Sequence, residues 1–270
     1  MMYHLYSASP KLSLFVDSYW ESNFATSIDT AYNELFVAQL NANIIVNLSE
    51  AYLRNDATVN RSTLNTINTS AIKFVHQASN HLFGIRFKPA GLTMFTSLGL
   101  DELKDTSICL QDIFGSDAIW FETAIYEGKN VQERIEITEK FLMLKIKEKN
   151  LERYVFSAAI QDSIAKHFYK PNCIAEVVEE LNTTHRTFDR NFKSFLGLSP
   201  KKMHRMIRFQ KVFEMLHVSY LKKQSFDFYQ CGYYDQAHFS KEFKEFTGMT
   251  LQAYLDSPYF VQNIQDNHFL

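Results

Sequence analysis

The pattern of apolar positions changes character along the chain. Up to about residue 90 they come in short runs rich in β-branched and aromatic residues, LFVAQLNANIIVNL at 35–48 and HLFGIRF at 81–87, parted by short polar stretches. Such runs predict strands. KPAG at 88–91 breaks this pattern, and beyond it the spacing turns helical: in LTMFTSLG (92–99), in 116–128, and in NVQERIEITEKFLMLKIKEKN (130–150), where Val131, Ile135, Leu142 and Ile146 recur at steps of four or seven. From 151 onward nearly everything reads as short helices joined by polar turns. The charged end of 130–150 marks the expected boundary between two domains, 1–150 and 151–270. The expected fold class is therefore α+β, a β-rich N-terminal domain with C-terminal helices followed by an all-α domain. At 270 residues the chain has room for each to bury its own core.

The helical half contains a repeat. FDRNFKSFLGLS (188–199) aligns without a gap on FSKEFKEFTGMT (239–250), pairing Phe188 with Phe239, Phe192 with Phe243, Phe195 with Phe246, Gly197 with Gly248 and Ser199 with Thr250. Each copy carries the same instructions. Thr184 and Asp235 suit an N-cap, whose side-chain oxygen accepts an amide left open by a helix's first turn. Phenylalanines four apart share one face, and the glycine suits the left-handed position that ends a helix. The opposite face opens with His185, Arg186, Asp189 and Arg190 in the first copy, and with Gln236, Ala237, Ser240 and Lys241 in the second. Upstream, CIAEVVEELN (173–182) places Ile174, Val177, Val178 and Leu181 at helical spacing, with Asn182 at a turn position that uses its tolerance of left-handed geometry. Helix, tight turn and capped basic helix is the order of a helix-turn-helix, whose second helix enters the major groove of DNA. Two paired helices are equally a fragment of a bundle, so this pattern alone leaves both readings open.

Charge changes the balance. The net value of −2 argues against a polyanionic partner, but it averages over an asymmetry: 13 basic and 17 acidic residues in 1–150 against 15 and 13 in 151–270. Within 182–211, Arg186, Arg190, Lys193, Lys201, Lys202, Arg205, Arg208 and Lys211 face Asp189 alone. So dense a positive field suits nucleic acid, or else a solvated face compensated by distant acids. Cys109, Cys173 and Cys231 are too widely spaced for a disulfide framework or a zinc site and read as buried free thiols. The opening MMYHLYSASPKLSLFV lacks the basic n-region and long apolar core expected of a secretory signal, and no apolar run nears the roughly 18 residues that span a bilayer. A cytoplasmic location with no membrane partner is expected, and Asn-x-Ser/Thr triplets such as Asn47-Leu-Ser are read as chance.

These residues resemble the AraC/XylS family of bacterial transcription regulators. GYYDQAHFSKEFKEFTGMT (232–250) is similar to that family's run of glycine, aromatic, Asp-Gln-Ser/Ala-His-Phe, basic-x-Phe-Lys and Gly-x-Thr, and HRTFDRNFKSFLGLSPKKMHRMIRF (185–209) to its first motif and the start of its linking helix. The likeness spans about 160–255. It implies a DNA-binding domain with two helix-turn-helix motifs, at about 173–197 and 225–248, joined by a linking helix at about 201–217. The recognition helices would be 185–196 and 236–247. By position, His185, Arg186, Asp189, Arg190, Gln236, Ala237, Ser240 and Lys241 face base edges: arginine reads guanine, Asp189 accepts from cytosine, and Gln236 pairs with adenine. Lys193, Lys244 and Arg208 are read as phosphate contacts, which position without specifying. His238 is either a DNA contact or a packing residue.

Two departures from the family pattern stand out. Leu251 replaces a usual proline, and SFDFYQCG (225–232) puts Asp227 and Phe228 where an apolar residue and then alanine precede x-x-x-Gly. A displaced or shortened scaffold helix in the second motif is therefore expected. FGIRFKPAGLTMFTSLGLDELKDTSICLQDIFG (83–115) resembles a poorly characterised module that precedes such DNA-binding domains. By family precedent it is a β-rich sensor that binds a small effector or dimerises.

The reading reached from sequence is a sequence-specific DNA-binding transcription regulator, not an enzyme. Double-stranded DNA is its partner, with an unidentified small-molecule effector, RNA polymerase if it activates, and a homodimer as further expected partners. No cofactor and no metal are expected. His76 and His81, the one pair suggestive of a metal, are separated by Gln-Ala-Ser-Asn, which fits neither strand nor helix ligand geometry, and they are read as strand-end residues. The alternatives are a scaffold protein with a degenerate second motif and a metal-dependent enzyme in the N-terminal half.

Overall fold

Side chains that alternate between two destinations build the N-terminal half. The computed structural model describes residues 2–24, 32–49, 51–59, 62–76, 80–96, 98–146, 151–168 and 173–265. Among these residues ten strands run in this order: β1 (Met2–Ser7), β2 (Val16–Phe24), β3 (Tyr32–Phe36), β4 (Asn43–Asn47), β5 (Tyr52–Arg54), β6 (Ala57–Val59), β7 (Thr63–Asn65), β8 (Ile72–His76), β9 (Asn80–Phe87) and β10 (Ser107–Cys109). They form a six-stranded sheet ordered β1-β2-β9-β4-β7-β10 and a four-stranded sheet ordered β3-β8-β5-β6, with antiparallel pairing throughout. Trp20, Ile45 and Leu82 of the large sheet face Tyr52, Ile72 and Phe74 of the small one. The next residues along the same strands, Tyr19, Ile44, Val46, Phe83 and Ile85, point the other way, into a core shared with Phe121, Ile125, Phe141 and Leu142.

Those last four residues come from helices that cover the outer face of the large sheet. Helices α1 (Leu100–Leu103), α2 (Leu110–Phe114), α3 (Ser116–Glu127) and α4 (Val131–Ile146) close the N-terminal half, after a 3-10 turn at Gly91–Met94. The expected domain boundary at 150 falls outside the described residues. Beyond it come α5 (Leu151–Lys166), α6 (Cys173–Glu180), α7 (His185–Leu196), α8 (Pro200–Leu221), a 3-10 turn (Phe228–Cys231), α9 (Gln236–Thr247), α10 (Leu251–Leu255) and α11 (Pro258–Gln265). No described helix is long and apolar enough to cross a membrane. The β-rich half followed by a helical half is the expected fold class.

The apolar run 35–48 is not one strand. β3 ends at Phe36 in the small sheet, and β4 begins at Asn43 in the large one. Between them the backbone turns toward the helical half, where the Ala38 amide donates to the Phe246 carbonyl at 3.1 Å. Leu35, Val37, Ala38 and Leu40 accordingly join the core built by Phe192, Met206, Phe209, Phe243 and Phe246. All three cysteines are free, and Cys109 is half-buried where Cys173 and Cys231 are buried.

Candidate DNA-binding surface

Each of the two repeated segments folds as its residues direct. Thr184 accepts from the Thr187 amide at 3.2 Å and Asp235 from the His238 amide at 2.7 Å, so each side chain satisfies a first-turn donor. Phe188, Phe192 and Leu196 bury one face of α7, and Phe239, Phe243 and Phe246 bury one face of α9. Gly197 (φ 70°) and Gly248 (φ 77°) end them in the left-handed region, donating back to the Lys193 and Lys244 carbonyls. Asn182 also takes a positive φ, 46°, in the turn between α6 and α7. Ser199 and Thr250 cap the helices that follow, and α10 starts at Leu251 without proline because Thr250 accepts from the Ala253 amide at 3.2 Å.

Burying those faces leaves the others to solvent. His185, Arg186, Asp189, Arg190 and Lys193 are exposed along α7, and Gln236, Ala237, Ser240, Lys241 and Lys244 along α9. Two of the sequence-chosen residues have another environment. Arg208 of α8 points at α9, where its Nη2 donates to both Glu242 carboxylate oxygens at 2.7 Å and its guanidinium lies 4.5 Å from the Tyr233 ring centroid. His238 sits between these groups, 3.3 Å from Arg208 Nη2 and 5.2 Å edge-on from Tyr233.

Arg208 belongs to an ion-pair cluster that joins α8 to α9. Arg205 Nε donates to Glu242 at 2.5 Å and its Nη2 to Glu245 at 2.5 Å, while Lys202 Nζ reaches Glu245 at 2.5 Å and lies 4.6 Å from the Phe246 ring centroid. Burial alone would raise the Glu242 carboxyl pKa, but hydrogen bonds from Arg208 and Arg205 outweigh it and hold the carboxyl below its usual range. Three of the eight cations in 182–211 are thus answered by acids 31 or more residues beyond that window. Glu242 and Glu245 gave no signal of this in sequence beyond their i, i+3 spacing on the apolar side of the second motif.

The second motif's first helix is reduced to the 3-10 turn Phe228–Cys231, as the Asp227-Phe228 departure implies. Asp227 does not enter a helix; it caps this turn, accepting from the Tyr229 amide at 3.0 Å. Phe228 compensates for the missing turns by stacking flat on Phe239, ring centroids 4.7 Å apart and planes 2° from parallel.

A second candidate site lies between the two sheets. Trp20, Ser22, Glu34, Phe36, Asn65, Phe74 and His76 are among the residues lining a cavity of about 50 Å³. The Trp20 indole occupies the space over Gly84, where any Cβ would fall 1.9 Å from the ring. His76, read from sequence as an ordinary strand-end residue, is buried here and pairs with Glu34 at 2.8 Å and Asn80 at 2.9 Å, whereas His81 pairs elsewhere, with Glu21 at 2.9 Å. Sequence periodicity could not show that residues from β2, β3, β7 and β8 converge.

Two capped helices of one geometry, held by a single long helix, define a double helix-turn-helix DNA-binding domain. Residues 177–257 match the family described as "Helix-turn-helix domain", and the domain is of the type found in AraC-family transcription regulators. Residues 4–109 match a second family, described as "Domain of unknown function (DUF6597)". Among solved structures, ToxT from Vibrio cholerae O395 is 14% identical, over 88% of this chain and 97% of that one, with a TM-score of 0.44. ToxT from the same strain bound to (E)-4-(8-methylnaphthalen-1-yl)but-3-enoic acid is 13% identical, over 88% and 98%, with a TM-score of 0.45. No curated protein matches the chain.

Proposed function

We propose that this transcription regulator reads a specific duplex with α7 and α9, under the control of a small effector held in its N-terminal half. The observation that carries the first part is the pairing of two capped helices, each with a buried aromatic face and an exposed polar one, on the single helix α8. Two readers on one rigid support can enter major-groove segments about 34 Å apart, so one chain can span two half-sites. His185, Arg186, Asp189 and Arg190 of α7 and Gln236, Ala237, Ser240 and Lys241 of α9 are the proposed base-facing residues. Lys193 and Lys244 are the proposed phosphate contacts. Arg208 takes a different role, because its guanidinium is committed to Glu242: it fixes the attitude of α9 against α8. His238, packed between Tyr233 and Arg208, is assigned to the same support. The effector reading rests on the inter-sheet cavity, where aromatic walls and a few convergent polar groups provide the ordinary make-up of a small-molecule site.

Selection from random duplexes at moderate salt tests the reading, with enrichment of a two-part motif as the expected result. If no motif is enriched, the regulator reading fails. With that motif in hand, Arg186→Ala should cost about 1–3 kcal/mol and relax base preference at one position. Lys193→Ala should weaken all sequences alike and reduce the salt slope by about one.

A further inference from the structure

The two functional regions meet along one strand. β3 is an edge strand, bonded on one side to β8, and its successive residues face different partners. Glu34 and Phe36 line the inter-sheet cavity, Glu34 paired with His76 and Phe36 edge-on to Phe74 with ring centroids 5.1 Å apart. Leu35, between them, and Val37 and Ala38, just after, are buried in the core of the DNA-binding half. Two hydrogen bonds fasten this segment there. The Ala38 amide donates to the Phe246 carbonyl in the last turn of α9, and Asn263 Nδ2 of α11 donates to the Leu35 carbonyl at 3.3 Å.

The opposite wall of the cavity, which includes Trp20, Ile45 and Leu82, carries unsatisfied polar atoms. The Ser22 hydroxyl and Asn65 Oδ1 have no hydrogen-bond partner among the described residues, although Ser22 is wholly buried and Asn65 is 4% exposed. Buried polar groups are ordinarily satisfied, so two such atoms facing one cavity mark a place kept for an occupant. Its about 50 Å³ holds roughly three or four ordered waters. A guest larger than this presses on the cavity walls. The six-stranded wall is backed by α3 and α4, while among the described residues β3 pairs with a single strand, β8.

We propose that β3 relays occupancy of the inter-sheet cavity to α9, the second reader, through the bond from the Ala38 amide, and not to α7 through the side-chain core they share. The occupant is a small molecule with an apolar middle, set between Trp20, Phe36 and Phe74, and with hydrogen-bonding groups for Ser22 and Asn65. A pleated strand moves as a unit, because adjacent residues on its two faces share one backbone. Displacing Phe36 or Glu34 therefore shifts Leu35 and the Ala38 amide, and with them the Phe246 carbonyl. This relay rests on the effector reading above and supplies its route.

The test uses the full chain without DNA or effector, so a failure of the DNA-binding reading leaves the relay separately measurable. Ser22→Leu fills the cavity from the wall opposite β3 and stands in for a guest. Hydrogen exchange read by mass spectrometry should change by roughly fivefold or more in peptides covering 35–40 and 240–248, the low end of ordinary coupling, while 185–196 stays as in the parent. A change at 35–40 that stops short of 240–248 overturns the relay, as does an equal change in both recognition helices or no change at all. Should Ser22→Leu fail to fold, Asn263→Ala cuts the fastening from the other side. Coupling is reciprocal, so faster exchange at 32–38 and 72–76 is then expected, and parental exchange there overturns the proposal.

Discussion

Glu242 shows how much of the second reader depends on one side chain. It is 2% exposed, yet it is charged and accepts from Arg205 and Arg208 of a different helix. Its carboxyl is depressed in the folded state from an ordinary value of 4.5. Such a group contributes stability that is fully present above the unfolded pKa and is lost as pH falls through the folded one. Removing one partner of a buried pair costs about 3–5 kcal/mol when the other is left without an acceptor, and solvent reaching Arg205 places this case at or below the lower end. Glu242→Gln keeps the shape and removes the titration. Its urea midpoint should fall well below that of the parent near neutral pH, and the gap should close as both are acidified below about pH 4.5. A gap that stays constant across that range would show that Glu242 does not carry the acid sensitivity.

At the scale of elements, two C-caps with nearly the same backbone make a controlled comparison. Gly197 and Gly248 end α7 and α9 at φ 70° and 77°. A Cβ at Gly248 meets nothing within 4 Å, whereas one at Gly197 falls 2.3 Å from the Leu100 carbonyl oxygen of α1, in the N-terminal half. Gly248→Ala should therefore cost only the left-handed strain, about 1–2 kcal/mol. Gly197→Ala adds a backbone clash worth a further 1–3 kcal/mol or so, measurable as a larger drop in denaturant midpoint. Equal losses would mean that α1 can retreat without cost. Sequence made this much legible: the cap, the two phenylalanines and the glycine are local signals, each read within four or five residues of its partner. It also flagged the shortened scaffold, because Asp227 and Phe228 violate a local pattern. The crowding of Gly197 by Leu100 was not legible, since it joins residues from opposite halves of the chain.

That limit is general to the whole molecule. What the sequence concealed is non-local: the capture of Arg208 by Glu242, the convergence of six strands on one cavity, and the splitting of 35–48 between two sheets. In each case the deciding partner lies far along the chain, and no periodicity within a window records it. The splitting of 35–48 also decides how the molecule unfolds. Leu35, Val37, Leu40 and Ile67 of the β-rich half are buried in the same core as Phe209, Phe213 and Phe246 of the helical half. Pulling the halves apart would expose both sides of that core and break the bonds from Ala38 and Asn263. Independent domains would melt separately; a shared core makes one transition the expected behaviour. Both tryptophans, Trp20 and Trp120, lie in the N-terminal half, while helix content is greatest in the C-terminal half. Tryptophan fluorescence and far-ultraviolet circular dichroism thus report different halves of one chain. Their urea transitions should coincide in midpoint and slope. Leu35→Ala, which thins the shared core and costs about 2–5 kcal/mol, should move both curves together. Two separated midpoints, or a shift confined to one probe, would show instead that the halves hold their structure independently.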